Sequence, residues 1–142
     1  MYIVILDDEE PRQEAMLQVL GSLNVRDEIK IFDNAPDMIV WLGEHLSEVV
    51  LLSLDHDLGP NRQRGGEIFD PGTGRHVVDF LIEQTPVCPV IVHTSNGDCA
   101  PGMMFALEYA NWIKHRVVPY DGNAWIHQVW ARTMKQLLSE QA

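Results

Sequence analysis

Cysteine is scarce in this 142-residue chain: Cys88 and Cys99 are too few for a disulfide framework and stand in no metal-ligand spacing. Cys88 falls inside an apolar run and is expected as a small core residue. Positive charge is scarce too, with ten Lys and Arg against 21 Asp and Glu for a net charge of -11. That balance excludes indiscriminate binding to a nucleic-acid backbone, which needs clustered cations to release counterions. No apolar run is long enough to span a membrane, and the start lacks the charged segment and cleavage site of a signal peptide. A cytoplasmic chain without a membrane partner is expected. Repeats, low-complexity tracts and linkers are also missing, and 46% hydrophobic residues over this length fit a single domain, residues 1–142.

What is present is a regular alternation of apolar runs and amphipathic stretches. Tyr2 to Leu6 reads as a buried strand that ends in Asp7-Asp8-Glu9-Glu10. Pro11 opens a helix that carries Ala15, Met16, Val19, Leu20 and Leu23 and stops near Gly21. Glu28 to Phe32 is a second strand. Asp33-Asn34 starts a helix with Met38, Ile39, Trp41, Leu42 and Leu46 inward and His45 at its exposed end. Val49 to Leu54 is the third strand, followed by Asp55-His56-Asp57-Leu58-Gly59. Two carboxylates around an imidazole at the end of a buried strand are too polar for ordinary core, because a buried charge is costly unless it is paired or bound to a metal.

Gly59 to Gly74 is rich in Gly and Pro and almost without periodicity, so it is expected as a lid, a binding loop or a disordered stretch. Thr73 is placed to cap a helix through Ile82. Val87 to Val92 is the fourth strand and runs into His93-Thr94-Ser95-Asn96. Pro101 opens a helix with Met103, Met104, Leu107, Ala110, Trp112 and Ile113 inward. Arg116 to Tyr120 is the fifth strand, and Asn123 onward is a last helix with Trp125, Ile126, Val129, Trp130, Met134, Leu137 and Leu138 on its apolar face.

Strands alternating with helices imply a three-layer α/β fold with a five-stranded parallel sheet, wound by right-handed crossovers. In the flavodoxin-like order 2-1-3-4-5, ligands gather at the carboxyl ends of the strands where the winding reverses. Asp7, Asp8, Asp55, Asp57 and His93 to Asn96 would then share one edge. Asp55 and Asp57 are expected to point one way and His56 the other, if the strand stays extended that far. The four carboxylates call for a divalent cation. Oxygen ligands alone suit Mg²⁺, and a histidine shifts the preference toward Mn²⁺, Fe²⁺ or Zn²⁺.

Asp7-Asp8 after the first strand, Asp55 at the end of the third, Thr94 or Ser95 after the fourth and Pro119-Tyr120 after the fifth resemble the receiver domain of two-component response regulators. That resemblance implies Mg²⁺ on the first acidic pair and a phosphoryl group accepted by Asp55. The receiver lysine before the proline is replaced by Val118, and His56, Asp57 and His93 are additions a receiver does not need. The fuller pattern, with Leu54-Asp55-His56-Asp57-Leu58-Gly59 at its centre, resembles the cyclic-phosphate-processing receiver domain family, which implies action on cyclic phosphate ends.

The residue chemistry points to a metal-dependent phosphoesterase for phosphate esters, and the resemblance implies cyclic phosphates of nucleotides or RNA ends as its substrates. Asp7, Asp8, Asp55 and Asp57 are the candidate metal ligands. His93 is placed to complete the ligand shell or to protonate a leaving oxygen. Asn96 would hold a substrate oxygen, and His56 would either take part directly or brace the aspartates. Arg62, Arg64 and Arg75 would close over a phosphate from the loop, or stand as solvated charge. The nucleophile is either water or Asp55 itself. The alternative is a non-catalytic or phospho-accepting signalling module that uses Asp55 as phosphoacceptor. No oligomeric state follows from the sequence.

Overall fold

The computed structural model describes residues 1–141. Its elements are β1 (Tyr2–Leu6), α1 (Glu10–Ser22), β2 (Glu28–Phe32), α2 (Ala35–His45), β3 (Val49–Leu54), β4 (Arg62–Arg64), β5 (Glu67–Phe69), α3 (Gly74–Leu81), β6 (Val90–His93), α4 (Ala100–Tyr109), β7 (Lys114–Val117) and α5 (Ala131–Ser139), the last preceded by a π-helical turn, Ile126–Trp130. The main sheet has the order β2-β1-β3-β6-β7, and every pairing in it is parallel. Counting the strands of this sheet alone, that is the expected 2-1-3-4-5. Among the described residues no helix is long and apolar enough to cross a membrane.

Alternation along the strands divides the core in two. Val4, Leu6, Leu52, Leu54, Val90 and Val92 face one way and pack with Met38, Leu42, Val77, Leu81, Met103 and Leu107 of α2, α3 and α4. Ile3, Ile5, Leu51 and Ile91 face the other way, onto Met16 and Leu20 of α1 and onto Trp125, Trp130 and Met134 near the C-terminus. On that second face Asp7, Ser53, Asp55 and His93 continue the same alternation beyond the apolar residues. Cys88 is half-buried against the first core, and burial pushes its thiol up to about 12.

Three sequence expectations shift. β6 begins at Val90 rather than Val87, because Pro89 interrupts the run and offers no N–H to a ladder; Val87 is exposed. The last sheet strand is Lys114–Val117 rather than Arg116–Tyr120, a half-buried edge strand whose Lys-His-Arg sequence hides its register. α4 stops at Tyr109, Asn111 takes a left-handed backbone (φ 69°), and Ile113 consequently faces solvent while Trp112 stays buried.

The segment expected as irregular, Gly59 to Gly74, contains the antiparallel hairpin β4-β5. Gly65 and Gly66, with φ of 60° and 82°, supply the positive-φ pair that a two-residue hairpin turn needs. Its arginines are engaged within the fold. The guanidiniums of Arg62 and Arg64 lie 5.4 and 4.6 Å from the Phe69 ring. They pair with Asp33 at 2.8 Å and Asp37 at 3.1 Å, beside the start of α2. Arg75 pairs with Asp79 one turn along α3 at 2.8 Å.

Candidate active site

Sheet register builds the centre of the site. Leu6 pairs with Leu54, and Leu54 with Val92, so the next residues, Asp7, Asp55 and His93, form one row across three neighbouring strands. The Asp55 N–H donates to the Leu6 carbonyl at 3.0 Å, and the Asp7 N–H to the Phe32 carbonyl at 3.0 Å, which extends the ladder to the row itself. Each of the three side chains is buried and offers one ligand atom within 4.8 Å of the others.

A hydrogen-bonded chain fixes the back of this row. Trp130 Nε1 can only donate, and it does so to Ser53 Oγ at 3.0 Å. Ser53 Oγ in turn lies 2.6 Å from His93 Nδ1. A carboxylate accepts, so His93 Nε2 donates to Asp7 Oδ2 at 3.0 Å, and in the neutral imidazole Nδ1 then accepts from the Ser53 hydroxyl. All four residues are completely buried. Burial holds His93 below the ordinary imidazole range, against the opposing pull of Asp7. In this tautomer His93 orients Asp7 and presents no lone pair toward the row.

The other aspartates open outward. A crevice of about 270 Å³ is lined by Asp8, Arg12, Asp55, Asp57, Thr94 and Ser95 among others. Desolvation, reinforced by the neighbouring Asp7, pushes the Asp55 carboxyl up to about 7. Burial raises Asp8 as well. Arg12 Nη1 approaches Asp55 Oδ2 at 3.4 Å and Asp7 Oδ2 at 3.6 Å, while its Nε holds Glu9 at 2.7 Å. The guanidinium lies 5.3 Å from the centroid of Trp125, whose ring is also stacked on His93 at 5.8 Å.

Asp57 departs from the row. The chain turns after β3, Asp57 makes an isolated antiparallel bridge to Thr73, and its side chain is 66% exposed. Its Oδ1 accepts from His56 Nδ1 at 2.9 Å, and Asn96 Nδ2 donates to Oδ2 at 3.1 Å. These bonds, the His56 one foremost, hold Asp57 below the usual carboxylate range. Asn96 is committed at both ends, since its Oδ1 accepts from the backbone N–H groups of Asp98 and Cys99 at 3.2 and 3.1 Å. Thr94 Oγ1 accepts from the Asn96 N–H at 3.1 Å.

Two glycines allow this packing. Gly74 begins α3 against the Asp55 backbone, where an added Cβ would stand 1.9 Å from the Asp55 carbonyl oxygen. Gly59, at φ 84°, passes Asp8 Oδ2, which a Cβ there would meet at 3.3 Å.

The sequence-predicted residues thus separate into a buried row (Asp7, Asp55, His93), a crevice wall (Asp8, Asp57) and bracing groups (His56, Asn96). The joint projection of Asp55 and Asp57 does not occur, because the strand ends at Leu54. Arg62, Arg64 and Arg75 are absent from the crevice lining, and the cation that is present, Arg12, was not anticipated. Its signal was its place in the first turn of the helix that follows the acidic pair. Ser53, Trp125 and Trp130 were also missed, as they read as strand and helix core. Val118, at the receiver-lysine position, is 52% exposed.

Several response-regulator structures share the backbone arrangement. The receiver domain from Rhodospirillum rubrum superposes with a TM-score of 0.68 at 15% identity, covering 98% of this chain and 94% of that one. The phosphorylated cyanobacterial phytochrome response regulator RcpA gives a TM-score of 0.72 at 14% identity over 98% and 94%. The Mn²⁺-bound form of response regulator Rcp1 gives 0.66 at 14% identity over 96% and 94%. Identities this low establish the receiver fold and nothing finer. No curated protein matches the chain. The sequence profile of the cyclic-phosphate processing receiver domain matches residues 2–109, from β1 to the end of α4, and the chain belongs to that family.

Proposed function

We propose that the chain is a divalent-metal-dependent phosphoesterase that acts on cyclic phosphate esters of nucleotides or RNA ends. One observation carries the reading: Asp8 and Asp55 share a small crevice in which burial opposes their ionisation, with Arg12 as the cation beside them. A site built this way gains from a second positive charge. Asp8 and Asp55 would hold the cation, with Asp7 behind them kept in orientation by His93. Carboxylate oxygens favour Mg²⁺ or Mn²⁺, whereas Zn²⁺ or Fe²⁺ would draw on His93 and require its proton to move to Nδ1. When bound, such a cation supplies a nucleophile at neutral pH and stabilises charge on phosphoryl oxygens.

The remaining work falls to side chains. The forked guanidinium of Arg12 suits a phosphoryl oxygen. Asp57 stays ionised at neutral pH at the crevice wall, so it can orient a water by accepting its hydrogen bond, while His56 and Asn96 keep the carboxylate in place. Val118 provides no charge where a phosphorylation switch has its lysine, which supports ester chemistry over signalling.

A screen of 2′,3′-cyclic nucleotides, phosphomonoesters and linear phosphodiesters with Mg²⁺ and Mn²⁺ tests the proposal. Turnover of cyclic esters that is lost in Arg12→Gln supports it. Stoichiometric labelling of Asp55 by acetyl phosphate with no ester hydrolysed would replace it with the phospho-accepting reading.

A further inference from the structure

A second cavity, of about 260 Å³, lies beside the crevice at the same end of the sheet, lined by Gly97, Ala100, Pro101, Met104 and Arg116. Its walls are apolar except for one guanidinium. The two hollows share a loop: Thr94 and Ser95 line the crevice, and Gly97 lines the cavity. Two residues of chain reach at most about 7 Å, so the hollows are close neighbours.

Arg116 is the unusual member. It stands on β7 in register with Val92, one step before the level of His93, and so faces the α4 side of the sheet, with the Asp7–Asp55–His93 row on the other side of the same edge. Arg12, Arg62, Arg64 and Arg75 each have a carboxylate partner. Among the described residues Arg116 has none, as is also true of Arg26 and Arg132, and what sets the half-buried Arg116 apart is an Nε buried without a hydrogen-bond partner. A guanidinium donor left unpaired within an apolar wall is matched by an anion that brings its own apolar surface.

We infer that this cavity is the subsite for the nucleotide preceding the reacting phosphate, with Arg116 donating to the neighbouring phosphodiester and Pro101 and Met104 receiving the base. The inference rests on the phosphoesterase reading of the crevice and narrows its substrate class to strand ends longer than one nucleotide. Arg116 is then a specificity-determining residue, outside the row that acts on the reacting phosphate.

The test is equilibrium binding, in the presence of Mg²⁺, of a nucleoside 3′-monophosphate and of a dinucleotide bearing a 3′-phosphate. Wild type is expected to bind the dinucleotide roughly tenfold more tightly, the scale of one charge-assisted hydrogen bond. Arg116→Gln is expected to bind both compounds alike, with mononucleotide affinity unchanged. Arg116→Lys, which keeps the charge and serves if the glutamine variant folds poorly, is expected to retain part of the preference. Equal affinity of wild type for the two compounds, binding of neither, or equal weakening of both in Arg116→Gln would overturn the subsite. Turnover of a cyclic mononucleotide by wild type is read separately. Turnover without a dinucleotide preference removes the subsite alone, and a preference without turnover removes the esterase reading while leaving the subsite.

Discussion

Two histidine–aspartate pairs stand at one edge of the sheet, with nearly identical bond lengths and opposite surroundings. His93 and Asp7 meet at 3.0 Å with neither side chain exposed, backed by Ser53 and Trp130. His56 and Asp57 meet at 2.9 Å with the carboxylate open to solvent. Burial decides what each can do. The inner pair is held by Ser53, which in turn accepts from Trp130, 77 residues further along the chain, so it serves to position its neighbours. The outer pair keeps an ionised carboxylate at the crevice wall, where reacting groups have access.

The largest effect expected from breaking this contrast is at the inner pair. His93→Ala removes the donor from a buried carboxylate and opens a cavity, and is expected to cost about 3–5 kcal/mol; chemical denaturation reads it. A comparable loss, about 3 kcal/mol, is expected for Gly74→Ala, because the new methyl would collide with backbone at Asp55 rather than with a flexible side chain. If either variant melts like wild type, the inner row is not the rigid frame described above.

The next effect is electrostatic, and its sign differs between groups. The Asp55 carboxyl has its folded value raised to about 7, so the folded state binds that proton more tightly than the unfolded chain does. Asp55 therefore favours the metal-free fold at low pH, and that contribution is lost as pH rises from about 4 through 7. His93 is lowered instead, so its contribution is present above about pH 6.5 and is lost as pH falls below that value. Asp55→Asn is expected to stabilise the metal-free protein at pH 8 by roughly 1–3 kcal/mol while weakening Mn²⁺ binding. Melting temperatures from pH 5 to 8, with and without Mn²⁺, separate the two slopes.

Least affected in stability is the outer pair. His56→Ala is expected to change unfolding free energy by at most about 1 kcal/mol, yet to lower cyclic-ester turnover about tenfold or more through a misplaced Asp57. A stability loss matching that of His93→Ala, with turnover intact, would erase the distinction between the pairs.

Much of this edge was legible because a continuous apolar run states its own strand and its own end. Tyr2–Leu6 and Val49–Leu54 appear with the predicted limits, and the order of the strands brings Asp7, Asp55 and His93 into one row. What stayed hidden depends on distant partners. Ser53 is an ordinary strand serine until Trp130 and His93 reach it; the inward face shared by Trp125 and Trp130 was legible as a stripe, but not the π-helical turn between them or the hydrogen bond from Trp130. Arg12 sits among polar residues of a first turn, and only the fold shows two aspartates beneath it. The β4-β5 hairpin escaped notice because Arg-Gln-Arg opposite Glu-Ile-Phe is held by ion pairs to Asp33 and Asp37, not by a buried apolar face.

The most direct measurement is the initial rate of 2′,3′-cyclic nucleotide hydrolysis with saturating Mn²⁺, for wild type and Asp55→Asn side by side. The account predicts turnover by wild type and a fall of at least about a thousandfold in the folded variant. A folded wild type that releases no monoester, or an Asp55→Asn variant that matches its rate, would contradict it.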